Sequence, residues 1–467
     1  RWKQDILLFF YCYFRNELIH QYALEFNFQN KTMKKIKFIL VVLLINFCCQ
    51  NTAGQNTESL LKFNQDPNLK NLGIKIEKIK SIDSLLQSFV KDKKTNAVTA
   101  FVAKGGNVVY KKTFGLKDIE NNIPAKTDDY YVLFSQTKAI TTVAFMTLVD
   151  KGLVAIDDPV SKYFPEIPNT VVTKVNDDGT YETRPAKRPM TFVDLMAHSS
   201  GLNAGQVGKI RSSERKIEGA SDKKVDGQRS YGSNTDLKYL KEEMLALSKY
   251  PLGFDPGSEW NYHVSTNMLA YMVERISGKP LREYVKETIF EPLGMKNTDW
   301  FYTSDQLTRF VKPYTAGDGK LVPASTMFAE GAVSNNTTYA EGAIGLNGPI
   351  EDYAKFCQML LNKGEFNGHR ILKPETVVAM TTINRLPEIN SGGKGFQFGL
   401  GFELYNELKK PAPAVSNSAF AWGGMLGTEY VIDPKNDMIV LFYVNIFKRE
   451  PMYPAFLRGV YDLFENN

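Results

Sequence analysis

Two runs built for a β-sheet sit at opposite ends of this chain, and a long helical stretch separates them. Ala97-Val98-Thr99-Ala100-Phe101-Val102 and Val108-Val109-Tyr110 flank Gly105-Gly106-Asn107, the pattern of a hairpin. Near the other end, Glu429–Ile432 and Met438–Val444 flank Asp433-Pro434-Lys435-Asn436-Asp437. Between them, Ile140–Val154, Val193–Met196, Met268–Ile276, Tyr284–Phe290, Ala354–Leu361 and Thr376–Met380 carry helical patterning. Ile74–Val90 and Tyr453–Phe464 also read as helices. The expected class is α+β: an antiparallel sheet built from both chain ends (about 75–135 and 395–467), flanked by helices, with a helical region (about 140–390) inserted. No repeat period and no regular strand–helix alternation is present, which argues against a doubly wound parallel sheet. Residues 203–237, rich in Ser, Gly, Lys and Glu, read as a long surface loop, either a lid or a mobile insertion.

The first residues read as an address. Met33-Lys34-Lys35-Ile36-Lys37 precedes the apolar run Phe38–Cys49, then polar Gln50-Asn51-Thr52 and small Ala53-Gly54. That order is a secretory signal peptide at 33–54, with 1–32 a non-native upstream segment and 55–467 the exported domain. The apolar run is too short to span a bilayer. Cys48 or Cys49 is a candidate lipid anchor, although the bulky Phe47 stands where a lipoprotein signal wants a small residue. A periplasmic or extracellular location is expected. Residues 1–54 hold seven basic and three acidic side chains, so only +2 of the formal +6 belongs to the remainder. A body so near neutrality has no field for gripping nucleic acid. Of four cysteines only Cys357 lies beyond the address, in an amphipathic helical pattern, so it reads as a small core residue and no internal disulfide is available.

Four histidines, no HExxH, no clustered cysteines and no GxxxxGK[ST] leave no metal or phosphate site to argue for; Gly392-Gly393-Lys394-Gly395 reads as a hairpin turn. Serine chemistry remains. Ala197-His198-Ser199-Ser200-Gly201 is a variant nucleophile elbow, but helical rather than strand patterning precedes Ser199. Ser-x-x-Lys occurs six times, so the spacing alone says little. Only Ser135-Gln136-Thr137-Lys138 follows an apolar extended stretch (Tyr130–Phe134) and opens an apolar helix (Ala139–Val149). There Ser135 and Lys138 share a helix face, free N–H groups offer a positive potential, and burial depresses the lysine's pKa. Trp260-Asn261-Tyr262-His263-Val264, after the turn Asp255-Pro256-Gly257, supplies Tyr262 as a candidate base, with His263 its rival.

These residues resemble the serine β-lactamase-related superfamily, which includes class C β-lactamases, penicillin-binding D-alanyl carboxypeptidases and family VIII carboxylesterases. The resemblance runs from about 85 to 445. It rests on Phe134–Lys138, Leu148–Leu153, Asp157–Glu166, Leu195–Leu202, Tyr262, Pro292-Leu293-Gly294-Met295 and Trp422-Gly423-Gly424. It implies Ser135 as nucleophile, Lys138 and Tyr262 as its proton relay, and backbone N–H groups of Ser135 and Met425 as the oxyanion hole. Trp422, Gly423, Gly424, Val264 and His263 would line the substrate pocket, and no cofactor is implied. Two departures select a branch. Val264 stands where class C enzymes carry the Asn of Tyr-x-Asn, and Trp422-Gly423-Gly424 replaces Lys-Thr-Gly, whose groups engage a substrate carboxylate. The pattern is similar to the carboxylesterases and implies an acyl-enzyme acting on small esters. The alternatives are a β-lactamase or D-alanyl-type peptidase acting on amides, and a non-catalytic binding protein that kept the fold.

Overall fold

The structure, a computed structural model, describes residues 62–210, 240–262, 264–317, 319–324, 339–388, 390 and 392–464. The address at 33–54 with Cys48 and Cys49, the upstream segment 1–32, and His263 lie outside the described residues.

The hairpin at the beginning forms as the sequence dictates. Strand β1 (Ala97–Lys104) turns through Gly105 and Gly106, both at positive φ, into β2 (Asn107–Asp118), with the short β3 (Ile123–Pro124) beyond it. From the other end come β4 (Gln397–Phe398), β5 (Glu403–Leu404), β6 (Phe420–Gly423), β7 (Thr428–Asp433) and β8 (Met438–Tyr443). All eight join one antiparallel sheet in the order β4-β5-β6-β7-β8-β1-β2-β3. The two chain ends meet at its centre, where Phe101 of β1 pairs with Leu441 of β8.

Both faces of the sheet are covered, which explains why β8 is apolar at every position instead of alternating. Alternate side chains still divide cleanly. Phe101, Ile439, Leu441 and Tyr430 join the main core, whereas Val98, Ala100, Val102, Val440 and Phe442 face a second one. Helices α1 (Ile76–Lys91) and α5 (Tyr453–Tyr461), one from each end, close the second core with Ile82, Leu86, Phe89, Phe456, Leu457 and Val460. The main core takes the inserted helices, chiefly α2 (Thr137–Asp150), α3 (Ser265–Ser277) and α4 (Ile350–Leu361). From Thr137 to Leu148 every residue of α2 is buried, so this helix runs through the molecule's interior.

The inserted region is less purely helical than expected. A hairpin of Thr170–Val175 and Tyr181–Pro185 interrupts it. The start of the expected 203–237 loop is anchored as well: Val207 and Ile210 are buried against Val172. Residues 211–239 lie outside the described residues.

Candidate functional site

Ser135 sits where strand becomes helix. Tyr131–Val132 pairs antiparallel with Asn347–Gly348, and the chain then enters a tight turn, Phe134–Gln136, that leads straight into α2. Phe134 holds φ at +45°, a left-handed conformation costly for a bulky residue. Its surroundings fix it. Thr137 Oγ1 donates to the Phe134 carbonyl at 2.6 Å and accepts from the Leu346 N–H at 3.0 Å. Gln136, fully buried, accepts from Tyr353 through its carbonyl (3.0 Å) and from Tyr443 through its side chain (2.6 Å). Gly424, just past β6, completes the clamp. A Cβ there would lie 2.4 Å from the Leu133 carbonyl oxygen and 2.2 Å from Thr428 Oγ1, so only glycine lets β6 approach this turn so closely.

One helical turn later, Lys138 projects its ammonium back toward the serine. Its Nζ lies 3.2 Å from Ser135 Oγ, 3.0 Å from the Ala343 carbonyl oxygen and 4.6 Å over the centre of the Tyr262 ring. The side chain is almost wholly buried, and that desolvation pulls its pKa down to about 7, against an opposing pull from the Glu341 carboxylate. Lys138 therefore exchanges its proton near neutrality. Tyr262 is held from the opposite wall: Trp422 Nε1 donates to its hydroxyl at 2.9 Å, Trp260 stacks along its ring, and His198 meets it edge-on with centroids 4.7 Å apart. Burial, and next the charge on Lys138, keep His198 well below the usual histidine range. Here it is a neutral aromatic wall.

A buried polar group stands behind the lysine. Asn267 on α3 accepts from the Ala343 N–H at 2.9 Å and donates to both Glu243 and Glu341 at 3.3 Å. Tyr339 donates to Glu243, and Trp300 Nε1 donates to the Glu341 carbonyl at 2.8 Å. This group thus holds Ala343, the residue whose carbonyl meets Lys138.

Ser135, Tyr262, Trp422, Gly423, Gly424 and Met425 open together onto a cleft of about 520 Å³, whose further walls are Ile344, Glu403, Tyr405, Glu429 and Arg449. Met425 is half exposed, and its N–H meets no protein acceptor among the described residues. A larger hollow of about 830 Å³ lies near Arg282 and Asp299, which bond to each other at 2.6 Å; no serine or cysteine lines it.

The β-lactamase family matches this chain from residue 82 to residue 458. The chain belongs to that family. Among its curated relatives, Esterase EstB of Burkholderia gladioli is 27% identical over 383 residues, covering 78% of this chain and 89% of EstB. A putative D-alanyl-D-alanine carboxypeptidase of Escherichia coli K12 is 26% identical, covering 80% and 83%. The simvastatin synthase LovD of Aspergillus terreus, at 22% identity, shares the fold with a TM-score of 0.67 over 84% of this chain and 99% of LovD. The chain is accordingly a hydrolase of the β-lactamase family, with esterase-named relatives and the mixed antiparallel architecture of that fold.

Within this β-lactamase-family fold, the sequence-predicted residues distribute unevenly. Ser135, Lys138 and Tyr262 come together, and Trp422, Gly423, Gly424 and Met425 share their cleft. Val264 does not: it caps α3 and is buried in the main core, away from the cleft lining. Ser199 is buried, and its hydroxyl donates to Asp194 at 3.3 Å behind the short helix Phe192–Met196. Cys357 is buried within α4. Sequence reasoning missed Asn267, Glu341, Glu243 and the Ala343 carbonyl, which no local pattern marks. It also missed the cleft's charged wall of Glu403, Glu429 and Arg449. Among the described residues no helix is long and apolar enough to cross a membrane.

Proposed function

We propose that this protein is a carboxylesterase that works through an acyl-enzyme on Ser135. The observation carrying this reading is the position of the Lys138 ammonium, within hydrogen-bond reach of Ser135 Oγ and over the Tyr262 ring, beside an open cleft. In the proposed cycle, Ser135 Oγ attacks the ester carbonyl carbon while its proton passes to the Lys138–Tyr262 pair. The N–H groups of Ser135 and Met425 stabilise the oxyanion. The C–O bond to the alcohol then breaks, and the departing oxygen takes the proton from the pair. Water, deprotonated by the same pair, releases the acid and restores Ser135. An exported location, with the address at 33–54 removed, belongs to the same proposal.

The absence of a cation and hydroxyl at Trp422-Gly423-Gly424 favours esters over carboxylate-bearing β-lactams and peptides. The E. coli relative's name favours a second reading, a D-alanyl-type peptidase. Purified protein and its Ser135→Ala form, assayed with p-nitrophenyl butyrate, a chromogenic cephalosporin and a D-alanyl dipeptide, separate the readings. Serine-dependent ester cleavage that outruns the other two supports the esterase. Faster cephalosporin or dipeptide turnover supports the second reading, and the absence of serine-dependent turnover overturns both.

A further inference from the structure

The wall of the cleft facing Ser135 carries charge of an unexpected sign. Glu403 begins the short β5 beside β6, pairing with Ala421, and Glu429 on β7 pairs with Gly423. A Cβ on Gly423 would fall 2.0 Å from Glu429 Oε2, so the missing side chain leaves this carboxylate its room. Both carboxylates line the cleft that Ser135 and Tyr262 line. The cations nearby divide themselves between these carboxylates and backbone carbonyls. Arg449 is bonded to Glu429 and donates to the Met425 carbonyl at 3.0 Å. Lys409 donates to the Gly392 carbonyl at 3.0 Å and lies over the Phe396 ring, leaving its Nζ 3.8 Å from Glu403 Oε1, beyond hydrogen-bond length. Glu403 thus has a largely buried carboxylate whose one cation partner among the described residues is the long Lys409 contact, in a cleft that Ser135 also lines.

Burial lifts both acids above the usual carboxylate range, Glu429 to about 7, and Arg449 opposes the lift at Glu429 as Lys409 does at Glu403. A carboxylate in that condition gains from any cation that desolvates beside it. A substrate carboxylate would meet the like charge of Glu403 there, whereas an ammonium would bring Glu403 a closer donor than the distant Lys409.

We infer that Glu403 is a specificity-determining residue and that the cleft selects esters carrying a protonated amine on the acyl or the alcohol arm. The inference rests on the esterase reading and deepens it. It is tested with two matched series. The first compares p-nitrophenyl 6-aminohexanoate with the hexanoate and with the adipate half-ester. The second compares 2-(dimethylamino)ethyl acetate, protonated near neutrality, with 3-methylbutyl acetate, its uncharged analogue. In at least one series the cationic ester is expected to show kcat/KM roughly tenfold or more above its neutral partner, the scale of one charge pair in a partly buried site. The adipate half-ester should fall below both acyl partners. Glu403→Gln should bring the cationic-to-neutral ratio toward one, and raised salt should shrink the ratio in the parent protein. A ratio near one in both series overturns the inference, as does a preference that survives Glu403→Gln. Loss of the hexanoate activity in Ser135→Ala is read separately: if the parent shows no serine-dependent cleavage of that neutral ester, the esterase reading itself has failed.

Discussion

Lys138 carries opposite consequences for activity and for stability. Held near a pKa of about 7, it is competent as a base only after losing its proton, so kcat/KM for a neutral ester is expected to rise with pH through about 7 and then level. Lys138→Met should lower kcat by about 10²–10⁴-fold, the contribution of a positioned base. The same burial costs stability. Below about 7 the folded protein holds a charged lysine out of water, and between about 7 and its ordinary 10.5 the unfolded chain binds the extra proton. Stability contributed by this group therefore rises with pH across that window. Lys138→Met should gain on the order of a few kcal/mol over the parent at pH 6 and less at pH 9. Parallel thermal melts at the two pH values check this, and an equal gain at both would show that the depressed pKa is not the cause. Glu341→Gln keeps an oxygen for Asn267 but removes the charge that supports the ammonium. The acid limb of the kcat/KM profile should move to lower pH in that variant; a limb that stays put would count against coupling between the two residues.

At the scale of elements, two contacts hold the site together. Gly424→Ala places a methyl group against the Leu133 carbonyl, and backbone cannot swing aside as a side chain can. The end of β6 must retreat from the Ser135 turn, and a misplacement of about an ångström is enough to cost on the order of 10²-fold in turnover. Comparing kcat with melting temperature for this variant distinguishes a displaced site from a collapsed one. Asn267→Ala leaves the Ala343 N–H without its acceptor and removes a donor from two buried carboxylates, a loss of about 3–5 kcal/mol read from urea unfolding. Legibility in the sequence followed these same elements. The hairpin ending at Tyr110, the hairpin ending at Val444 and the terminal helices were legible because their apolar periodicity answers to a buried sheet or helix face. The Thr170–Pro185 hairpin was not, since most of its side chains are exposed and give no period. Strands β4 and β5, two residues each, are too short for any periodic signal. Ser135 and Lys138 stood out because strand and helix patterns change at that point. Asn267 lies more than a hundred residues from the lysine it serves and looks like any polar residue on a helix. Val264 was placed in the pocket by resemblance alone, and its apolar side chain follows the core instead.

For the molecule as a whole, the second core depends on α5. Phe456, Leu457 and Val460 are fully buried, and at about 2 kcal/mol each their removal forfeits a sum comparable to the stability of an ordinary domain. A chain ending before Tyr453 is expected to be insoluble or unfolded by circular dichroism, although every residue proposed for catalysis remains in it. The eight-stranded sheet has a further consequence, for the order of events during synthesis. Its pairing of β1 with β8 joins a strand made early to one made hundreds of residues later. A ribosome that has already threaded out the serine and its lysine has yet to make the tryptophan and glycines of the opposite wall. The nascent chain is therefore expected to stay inactive until β6 to β8 have been made and have joined β1.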